Sequence, residues 1–372
     1  MDLFNTKYIL GNKRFGWIDY DRGISIILVT YRHCYESILK AGLNLKDYPI
    51  FEYINVFFFG FRMPLFFIAS GIFVSGSLRK RGLGTYSWNR VQTILYPLLV
   101  WGFIQISLQM FFSDYTNSEV GPDYYLYLIT EPRITGQFWY LNALFFVGII
   151  YAALKILAKF KTMHQLVLGL SLYFMAYFLR ENDVNLGFIM DICKYYMFFA
   201  IGDAISEHML NEKTAKMFTS WKLILPLVSA FIVIQYFFTE INLEKDNNYF
   251  VENHMPFFFI LVALVGCALS IAASFSLKKY SALPFLRVVG YNSVHIYCMQ
   301  IIAMSVTRIV LVKLLGITYV PALVILVLLG GLIIPMLVYN IALRFNMWWL
   351  FTLKKPVEEL EYLAEQKAAR KK

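Results

Sequence analysis

The chain alternates between long apolar stretches and short polar segments. A helix needs about 20 mostly apolar residues to cross a bilayer, and stretches of this kind predict about ten spans. They lie near residues 18–39, 54–77, 91–112, 137–158, 165–180, 188–207, 221–239, 255–276, 289–312 and 320–343. The expected fold class is therefore all-α, a polytopic integral membrane protein with about ten transmembrane helices.

The composition agrees with this class. Of the 372 residues, 59% are hydrophobic and 16% are charged, whereas soluble domains carry about 25% charged residues. The formal net charge is +10, but it does not indicate nucleic-acid binding. The basic residues lie in short segments between the spans and form no single basic face that would follow a phosphate backbone.

The distribution of basic residues predicts the orientation in the membrane, because cytoplasmic segments are enriched in Lys and Arg. With the N-terminus inside, the outer segments contain Lys40, Lys46, Arg133, Arg180, Lys245 and Lys313, and the inner segments contain most of the others. We therefore predict that both termini are cytoplasmic. The predicted divisions are an N-terminal arm at 1–16, a transmembrane domain at 17–345 and an amphipathic tail at 346–372.

The first span carries a polar stripe. His33 follows Arg22 by eleven positions, which places both within about 20° of one helix face and about 16 Å apart along the axis. Ser25, Val29 and Glu36 lie near the same stripe. Polar groups that face lipid are costly, so such a stripe is typical of a cavity lining or a bundle interior. We predict that it lines a reaction path through the bilayer.

His33 is the candidate general base. Glu36 lies one turn later, and a carboxylate beside an imidazole fixes its tautomer and supports the charge it gains with a proton. The neighbours Arg32 and Cys34 point about 100° away from His33, which argues against a Cys–His nucleophilic pair. His295 also lies within a span, and the sequence leaves open whether it is functional or hydrogen-bonds a facing helix.

The second span contains an arginine next to a helix-breaking residue. Pro64 removes a backbone donor and bends or opens a helix, two positions after Arg62. The pair predicts a break that lines a polar cavity. Arg62 would then be available to an anionic group or to Glu36, as part of the catalytic set. The alternative is a structural arginine whose guanidinium is satisfied by backbone carbonyls.

Four basic residues lie between the second and third spans, namely Arg79, Lys80, Arg81 and Arg90. Positive charge here follows in part from the topology. Cations at the inner mouth of the bundle would also hold a phosphate-rich ligand, so these four are candidate ligands for one.

Other unusual residues in the spans have simpler interpretations. Asp191 and Lys194, one turn apart in the sixth span, predict a buried ion pair. The four cysteines lie in or beside apolar runs without metal-ligand spacing, which indicates buried free thiols and no metal site. They are Cys34, Cys193, Cys267 and Cys298.

Several segments, taken in order, resemble the membrane acyltransferase-3 family. Arg22 and His33 match the family's arginine, ten residues, histidine motif in its first span. Further similar segments are 61–71 (FRMPLFFIASG), 90–97 (RVQTILYP), 138–141 (FWYL), 198–202 (FFAIG) and 290–297 (GYNSVHIY). Two positions depart from the family's pattern. Thr93 stands where a second arginine commonly follows Arg90, and Gln300 stands where the ninth-span motif often ends in histidine.

The family moves acyl groups from acyl-coenzyme A onto extracytoplasmic acceptors, often sugars. The resemblance implies that His33 deprotonates the acceptor hydroxyl or otherwise mediates the transfer, and that Arg22 helps to hold the coenzyme. It also implies that the protein lies in a bacterial inner membrane. A pantetheine arm has roughly the length of the separation of about 16 Å between Arg22 and His33, because extended chain units span about 3.3–3.6 Å each. It would therefore bring the thioester to His33.

We therefore expect an integral-membrane O-acyltransferase. Its donor would be cytosolic acyl-coenzyme A, with acetyl-coenzyme A favoured, and its acceptor a carbohydrate or glycolipid hydroxyl outside. The alternative is a secondary transporter or flippase with a broken second helix. A transporter often has paired broken helices in two related halves, and this sequence shows one such break.

Overall fold

A computed structural model describes residues 2–11, 16–112, 120–211 and 216–369, and every regular element in these ranges is helical. The predicted all-α class is thereby confirmed. In chain order the α-helices are α1 (Thr6–Gly11), α2 (Gly16–Lys40), α3 (Pro49–Phe57), α4 (Phe59–Gly71), α5 (Val74–Arg90), α6 (Tyr96–Phe111), α7 (Tyr124–Thr130), α8 (Trp139–Ile156), α9 (Thr162–Glu181), α10 (Phe188–Met209), α11 (Trp221–Glu244), α12 (Phe250–His254), α13 (Pro256–Tyr280), α14 (Phe285–Tyr291), α15 (Ser293–Ile309), α16 (Val320–Arg344) and α17 (Val357–Ala369).

Within the described ranges, eight helical segments are long and apolar enough to cross a membrane. They are Pro49–Gly71, Val74–Phe111, Gly136–Ile156, Thr162–Glu181, Trp221–Glu244, Pro256–Tyr280, Ser293–Leu314 and Val320–Arg344. The other two predicted spans correspond to α2 and α10, which have 25 and 22 residues. Both contain several charged residues and do not meet the same standard of apolarity. The chain is thus a multi-pass membrane protein, and the count of ten stays a prediction.

The chain divides into two compact units. Unit 1 comprises Met1–Leu45, Gln92–Pro122 and Leu283–Lys372. Within it α2 is central, because it packs against α14, α15 and α16, while α15 also contacts α6. The contact with α14 is close. A Cβ at Gly290 would overlap the carbonyl oxygen of Asp19, and a Cβ at Gly23 would overlap that of Leu286.

Unit 2 comprises Lys46–Val91 and Asp123–Ala282. Its central helix is α10, which packs against α4, α8 and α9 and is buried along most of its length. Around this helix, α13 contacts α4 and α11, and α5 contacts α8. Charged residues on α10 therefore have to find partners on neighbouring helices. The predicted domain boundaries at residues 16 and 345 stay a prediction.

The second span is interrupted at a different position from the predicted one. The break is at Phe58, which separates α3 from α4, and Pro64 lies inside α4. Pro64 is the sixth residue of α4 and follows the carbonyl of Gly60 by four positions. One intrahelical hydrogen bond is lost there, and the helix continues to Gly71. A second interruption occurs in α5, where Gly82 has φ 69° and ψ 172° and divides the helix in two.

The predicted tail helix is present as α17, and it packs against α16. Glu359 of α17 is buried and accepts hydrogen bonds from the hydroxyls of Tyr291 and Tyr339, the latter at 2.8 Å. This carboxylate therefore links the tail to α14 and α16 within unit 1.

Candidate active site

The polar stripe of α2 brings His33 and Glu36 together. His33 Nδ1 lies 3.4 Å from Glu36 Oε2, and the two side chains are 17% and 35% exposed. This confirms the predicted contact, while the catalytic role of the pair stays a prediction. A carboxylate facing Nδ1 favours a proton on that nitrogen, which leaves the lone pair of Nε2 available to take a proton from a substrate.

Arg32 also contacts this pair, although the helix periodicity points it away from His33. Its Nε and Nη2 atoms each lie 2.8 Å from Glu36 Oε1. Glu36 thus uses one oxygen for Arg32 and the other for His33. The positive charge of Arg32 favours the ionised carboxylate, so Arg32 keeps Glu36 as an acceptor for the imidazole. The sequence contained this signal as the spacing of four between Arg32 and Glu36.

The ninth-span motif reaches α2 just before His33. Gln300 of α15 is fully buried, and its Oε1 accepts a hydrogen bond from Thr30 Oγ1 at 2.6 Å. Its Nε2 atom has no hydrogen-bond partner in the part of the chain that the structure describes. Gln300, which stands where the resembled motif often has histidine, therefore contacts α2 at Thr30. Thr30 precedes the candidate base His33 by three positions.

His295 occupies a different environment on the same helix. Its ring stacks on Tyr339 with centroids 3.6 Å apart and lies 5.3 Å from the ring of Phe351. Its Nδ1 atom makes no hydrogen bond to the described residues. The sequence left open whether His295 hydrogen-bonds a facing helix. The structure shows its ring packed against aromatic side chains.

Arg22 is half-buried on α2, on the part of the helix that packs against α14. Ser25 is buried and donates to the carbonyl of Asp21 at 2.9 Å. Asp19 Oδ2 lies 3.9 Å from Arg287 Nη2 of α14. The predicted coenzyme-holding end of α2 is therefore polar and packed against α14, and the role of Arg22 stays a prediction.

Arg62 lies in unit 2 and Glu36 lies in unit 1. The guanidinium of Arg62 is buried, and its Nη1 donates to Asn55 Oδ1 at 3.3 Å. It also lies over the ring of Phe59, 5.0 Å from the centroid. These two partners are a side-chain amide and an aromatic ring, whereas the alternative stated from the sequence was a guanidinium bound to backbone carbonyls. A catalytic role for Arg62 stays a prediction.

The four basic residues of the second inner segment have two different environments. Arg79, Lys80 and Arg81 are exposed and precede the kink at Gly82. Arg90 follows the kink, and its Nε donates to Tyr86 OH at 2.9 Å while its guanidinium lies 5.7 Å from the ring centre of Phe199. Three of the candidate phosphate ligands are thus exposed at the surface, whereas Arg90 is half-buried against other side chains.

A cavity of about 630 Å³ lies at one end of helices α8 to α10. The buried Asp203 lines this cavity and accepts hydrogen bonds from Lys155, Ser75 and Thr162, the last at 3.1 Å. Arg79 and Glu207 also line it. We call it the Asp203 cavity. The predicted topology places it on the cytoplasmic side.

A second cavity of about 490 Å³ lies at the opposite end of the same three helices, near Asp191. The two ends are about 24 Å apart, from the rise along α8 between Trp139 and Lys155. This cavity is lined by Glu131, Pro132, Arg133, Ile134, Arg180, Asp183, Val184, Asn185, Gly187, Met190 and Asp191. We call it the Asp191 cavity. The predicted topology places it on the outer side.

The predicted ion pair between Asp191 and Lys194 is wrong. Asp191 accepts hydrogen bonds from Arg133 on both carboxylate oxygens. Nε donates to Oδ1 at 2.9 Å and to Oδ2 at 3.0 Å, and Nη2 donates to Oδ1 at 2.6 Å. Lys194 pairs instead with Glu252 of α12. Burial alone would raise the pKa of Glu252, but Lys194 and Arg133 lower it below its usual value. Both ion pairs join α10 to other segments of the fold, and spacing along one helix does not reveal such pairs.

The comparison with family models decides the classification. The model of an acyltransferase domain, acyltransferase-3, matches residues 15–338. The chain belongs to the acyltransferase-3 family. This match includes α2 with Arg22 and His33, and it ends within α16. The resemblance stated from the motifs is thereby confirmed.

One relative of the chain is nodulation protein NolL of Sinorhizobium fredii (strain NBRC 101917 / NGR234). The two are 25% identical over 218 residues, which is 56% of each chain. The chain therefore spans about half the length of this relative. No solved structure matches the chain.

Proposed function

We propose that this acyltransferase moves an acyl group, most simply acetyl, from cytosolic acyl-coenzyme A to a hydroxyl of an extracytoplasmic carbohydrate or glycolipid. Membership of the family supports acyl transfer in a membrane. The observation that carries the mechanism is the His33–Glu36 contact on the same helix as Arg22. It combines a candidate base with a cation about 16 Å along one helix axis.

In the proposed reaction His33 Nε2 takes the proton of the acceptor hydroxyl as its oxygen attacks the thioester carbonyl. The new C–O bond forms and the C–S bond breaks. The coenzyme leaves as a thiolate, and the proton on His33 returns to that sulfur. Glu36 supports the positive charge that His33 carries between these steps. General-base catalysis of this kind contributes about 10² to 10⁴ in rate.

Arg22 has the second role in the proposal. A guanidinium binds phosphate oxygens through charge-assisted, often bidentate hydrogen bonds. With the N-terminus inside, Arg22 lies at the cytoplasmic end of α2, where it would hold the charged head of the coenzyme while the acyl end extends toward His33. Arg79, Lys80, Arg81 and Arg90 are further candidates for contacts with the coenzyme phosphates, and Arg62 for a contact with developing negative charge.

The experiment uses the purified full chain in lipid nanodiscs with labelled acetyl-coenzyme A, and it measures hydrolysis and transfer to sugars. We expect His33→Ala to lower turnover by at least about 10²-fold, because a base is removed, with coenzyme binding nearly unchanged. We expect Arg22→Ala to weaken coenzyme binding about tenfold to a hundredfold, because hydrogen bonds to a charged group are lost.

His208→Ala is the matched control, because His208 is an exposed histidine near the cytoplasmic end of α10. It should leave turnover and binding at wild-type values. Normal turnover by His33→Ala would refute the mechanism even though the family assignment stands.

A further inference from the structure

The Asp191 cavity has the features of a built binding site. Its volume of about 490 Å³ is within the range of about 300–1,000 Å³ typical of small-molecule sites. Two guanidiniums line it, and each has a partner side chain within the protein. Arg133 is 42% exposed while its partner Asp191 is 3% exposed, and Arg180 donates to Asn253 through Nη1.

The orientation of Arg133 is defined on two sides. One edge of its guanidinium is paired with Asp191, and one face lies over the ring of Trp139 with the Cζ atom 4.3 Å from the centroid. A guanidinium has five N–H donors in one plane. A plane fixed in this way presents donors to the cavity at a defined angle, which suits two neighbouring hydroxyl oxygens.

The cavity lining also contains hydrogen-bond acceptors. Glu131 and Asp183 both line it. Asp183 has φ 56° and Gly187 has φ 57°, so the loop between α9 and α10 is shaped by two left-handed residues. A Cβ at Gly187 would overlap the carbonyl oxygen of Thr130 and would lie 3.0 Å from Glu131 Oε1. Gly187 thus allows the carboxylate of Glu131 to lie directly on the loop backbone.

The charge balance selects the class of ligand. Three carboxylates and two guanidiniums line the cavity, which leaves an excess of one negative charge. A ligand with several phosphates, such as coenzyme A, is therefore disfavoured there. A neutral molecule with many hydroxyls fits, because each hydroxyl both donates and accepts. Ile134, Val184 and Met190 offer apolar contact for its C–H faces.

We propose that the Asp191 cavity binds the sugar acceptor as a neutral polyhydroxylated ligand, with Asp183 and Glu131 as its acceptors and Arg133 and Arg180 as its donors. This rests on the proposed function, which requires a sugar site on the outer side. In the predicted topology the cavity opens to that side, at the opposite end of α8 to α10 from the Asp203 cavity.

The test separates acceptor binding from donor chemistry. Purified full-length protein in nanodiscs is examined by saturation-transfer NMR with three probes, the methyl glycosides of glucose, galactose and mannose. Hydrolysis of labelled acetyl-coenzyme A is measured on the same preparations. For Asp183→Asn and Glu131→Gln we expect the affinity for the glycosides to fall about tenfold or more. The KM for the acceptor in acetyl transfer should rise by a similar factor. Hydrolysis of acetyl-coenzyme A should stay at the wild-type rate.

Asp246→Asn is the matched control. Asp246 is also an exposed acid with a left-handed backbone, at φ 46° in the loop before α12, so the same substitution makes the same backbone demand. It should leave glycoside binding unchanged. Wild-type glycoside affinity in both cavity variants would overturn the proposal, as would no saturable binding of any of the three glycosides to the wild type. Loss of hydrolysis in His33→Ala with unchanged glycoside binding would support both proposals separately.

Discussion

At the residue scale, the candidate site depends on how Glu36 is shared. One carboxylate oxygen faces Arg32 and the other faces His33 Nδ1. The arginine favours the ionised form of Glu36, and the ionised form orients the imidazole. Arg32 therefore acts on the candidate base through Glu36, without direct contact with the reacting atoms in the proposed mechanism.

Replacement of Glu36 tests this arrangement. Glu36→Gln keeps the size of the side chain but removes the charge that supports protonated His33. We expect kcat for acetyl transfer to fall about 10- to 100-fold, while the KM for acetyl-coenzyme A stays unchanged, as measured by steady-state kinetics.

Arg32→Lys provides the comparison, because it keeps a positive charge near Glu36 and should cost much less. Equal losses in kcat and in coenzyme affinity for Glu36→Gln would contradict the separation of roles along α2.

At the element scale, two close helix–helix contacts involve helices that carry candidate site residues. In unit 1, Gly290 allows the backbone of α14 to touch that of α2 near Arg22. In unit 2, Gly71 and Gly202 allow α4 and α10 to approach in the same way. Small residues at such contacts are typical of membrane helix packing, and here they fix elements that carry candidate site residues.

Gly290→Ala tests the first contact. Its Cβ would overlap the carbonyl oxygen of Asp19, which is backbone and can move only with α2. We expect the substitution to cost about 1–3 kcal/mol of stability, as overpacking does, and to lower the apparent melting temperature in detergent. The KM for acetyl-coenzyme A should rise, because Arg22 lies on the displaced part of α2.

Gly76→Ala is the control, because a Cβ there has nothing within 4 Å among the described atoms and alanine favours a helix. It should melt at or slightly above the wild-type temperature. A Gly290→Ala protein with wild-type melting and KM would show that this contact does not position Arg22.

At the scale of the whole molecule, the functional proposals depend on sidedness. The Asp203 and Asp191 cavities lie at opposite ends of α8 to α10, and the positive-inside pattern predicts which end is cytoplasmic. The four native cysteines are buried, as expected from the sequence. Single exposed cysteines can therefore report the topology over a low background.

We predict that Asp246→Cys is labelled by a membrane-impermeant maleimide in intact cells or spheroplasts, because the positive-inside pattern predicts that its loop is outside. Lys159→Cys, in the exposed segment between α8 and α9, should be labelled only after the membrane is permeabilised. Labelling of Lys159→Cys in sealed cells would reverse the orientation, and it would exchange the sides of the two cavities.

Much of the site was predictable because it lies within one helix. The eleven-residue spacing of Arg22 and His33 and the contact with Glu36 depend on helical periodicity alone. The spacing of four between Arg32 and Glu36 is a sequence signal for their ion pair, but spacing alone does not show that one carboxylate binds Arg32 and His33 together. It also placed the break of the second span at Pro64, whereas the interruption at Phe58 has no proline or glycine to mark it.

The helical class, the apolar spans and the polar stripe of α2 can be derived from the order of amino acids, because they follow from local hydrophobicity and helical geometry. The partners of the buried charges and the linings of the two cavities depend on how the helices pack, and they are seen in the folded chain. Asp191 and Lys194 are one turn apart, yet each is neutralised by a residue far away in the chain. A buried charge is stabilised by whichever opposite charge the fold brings within contact, and that depends on helix packing, which spacing along one helix does not specify.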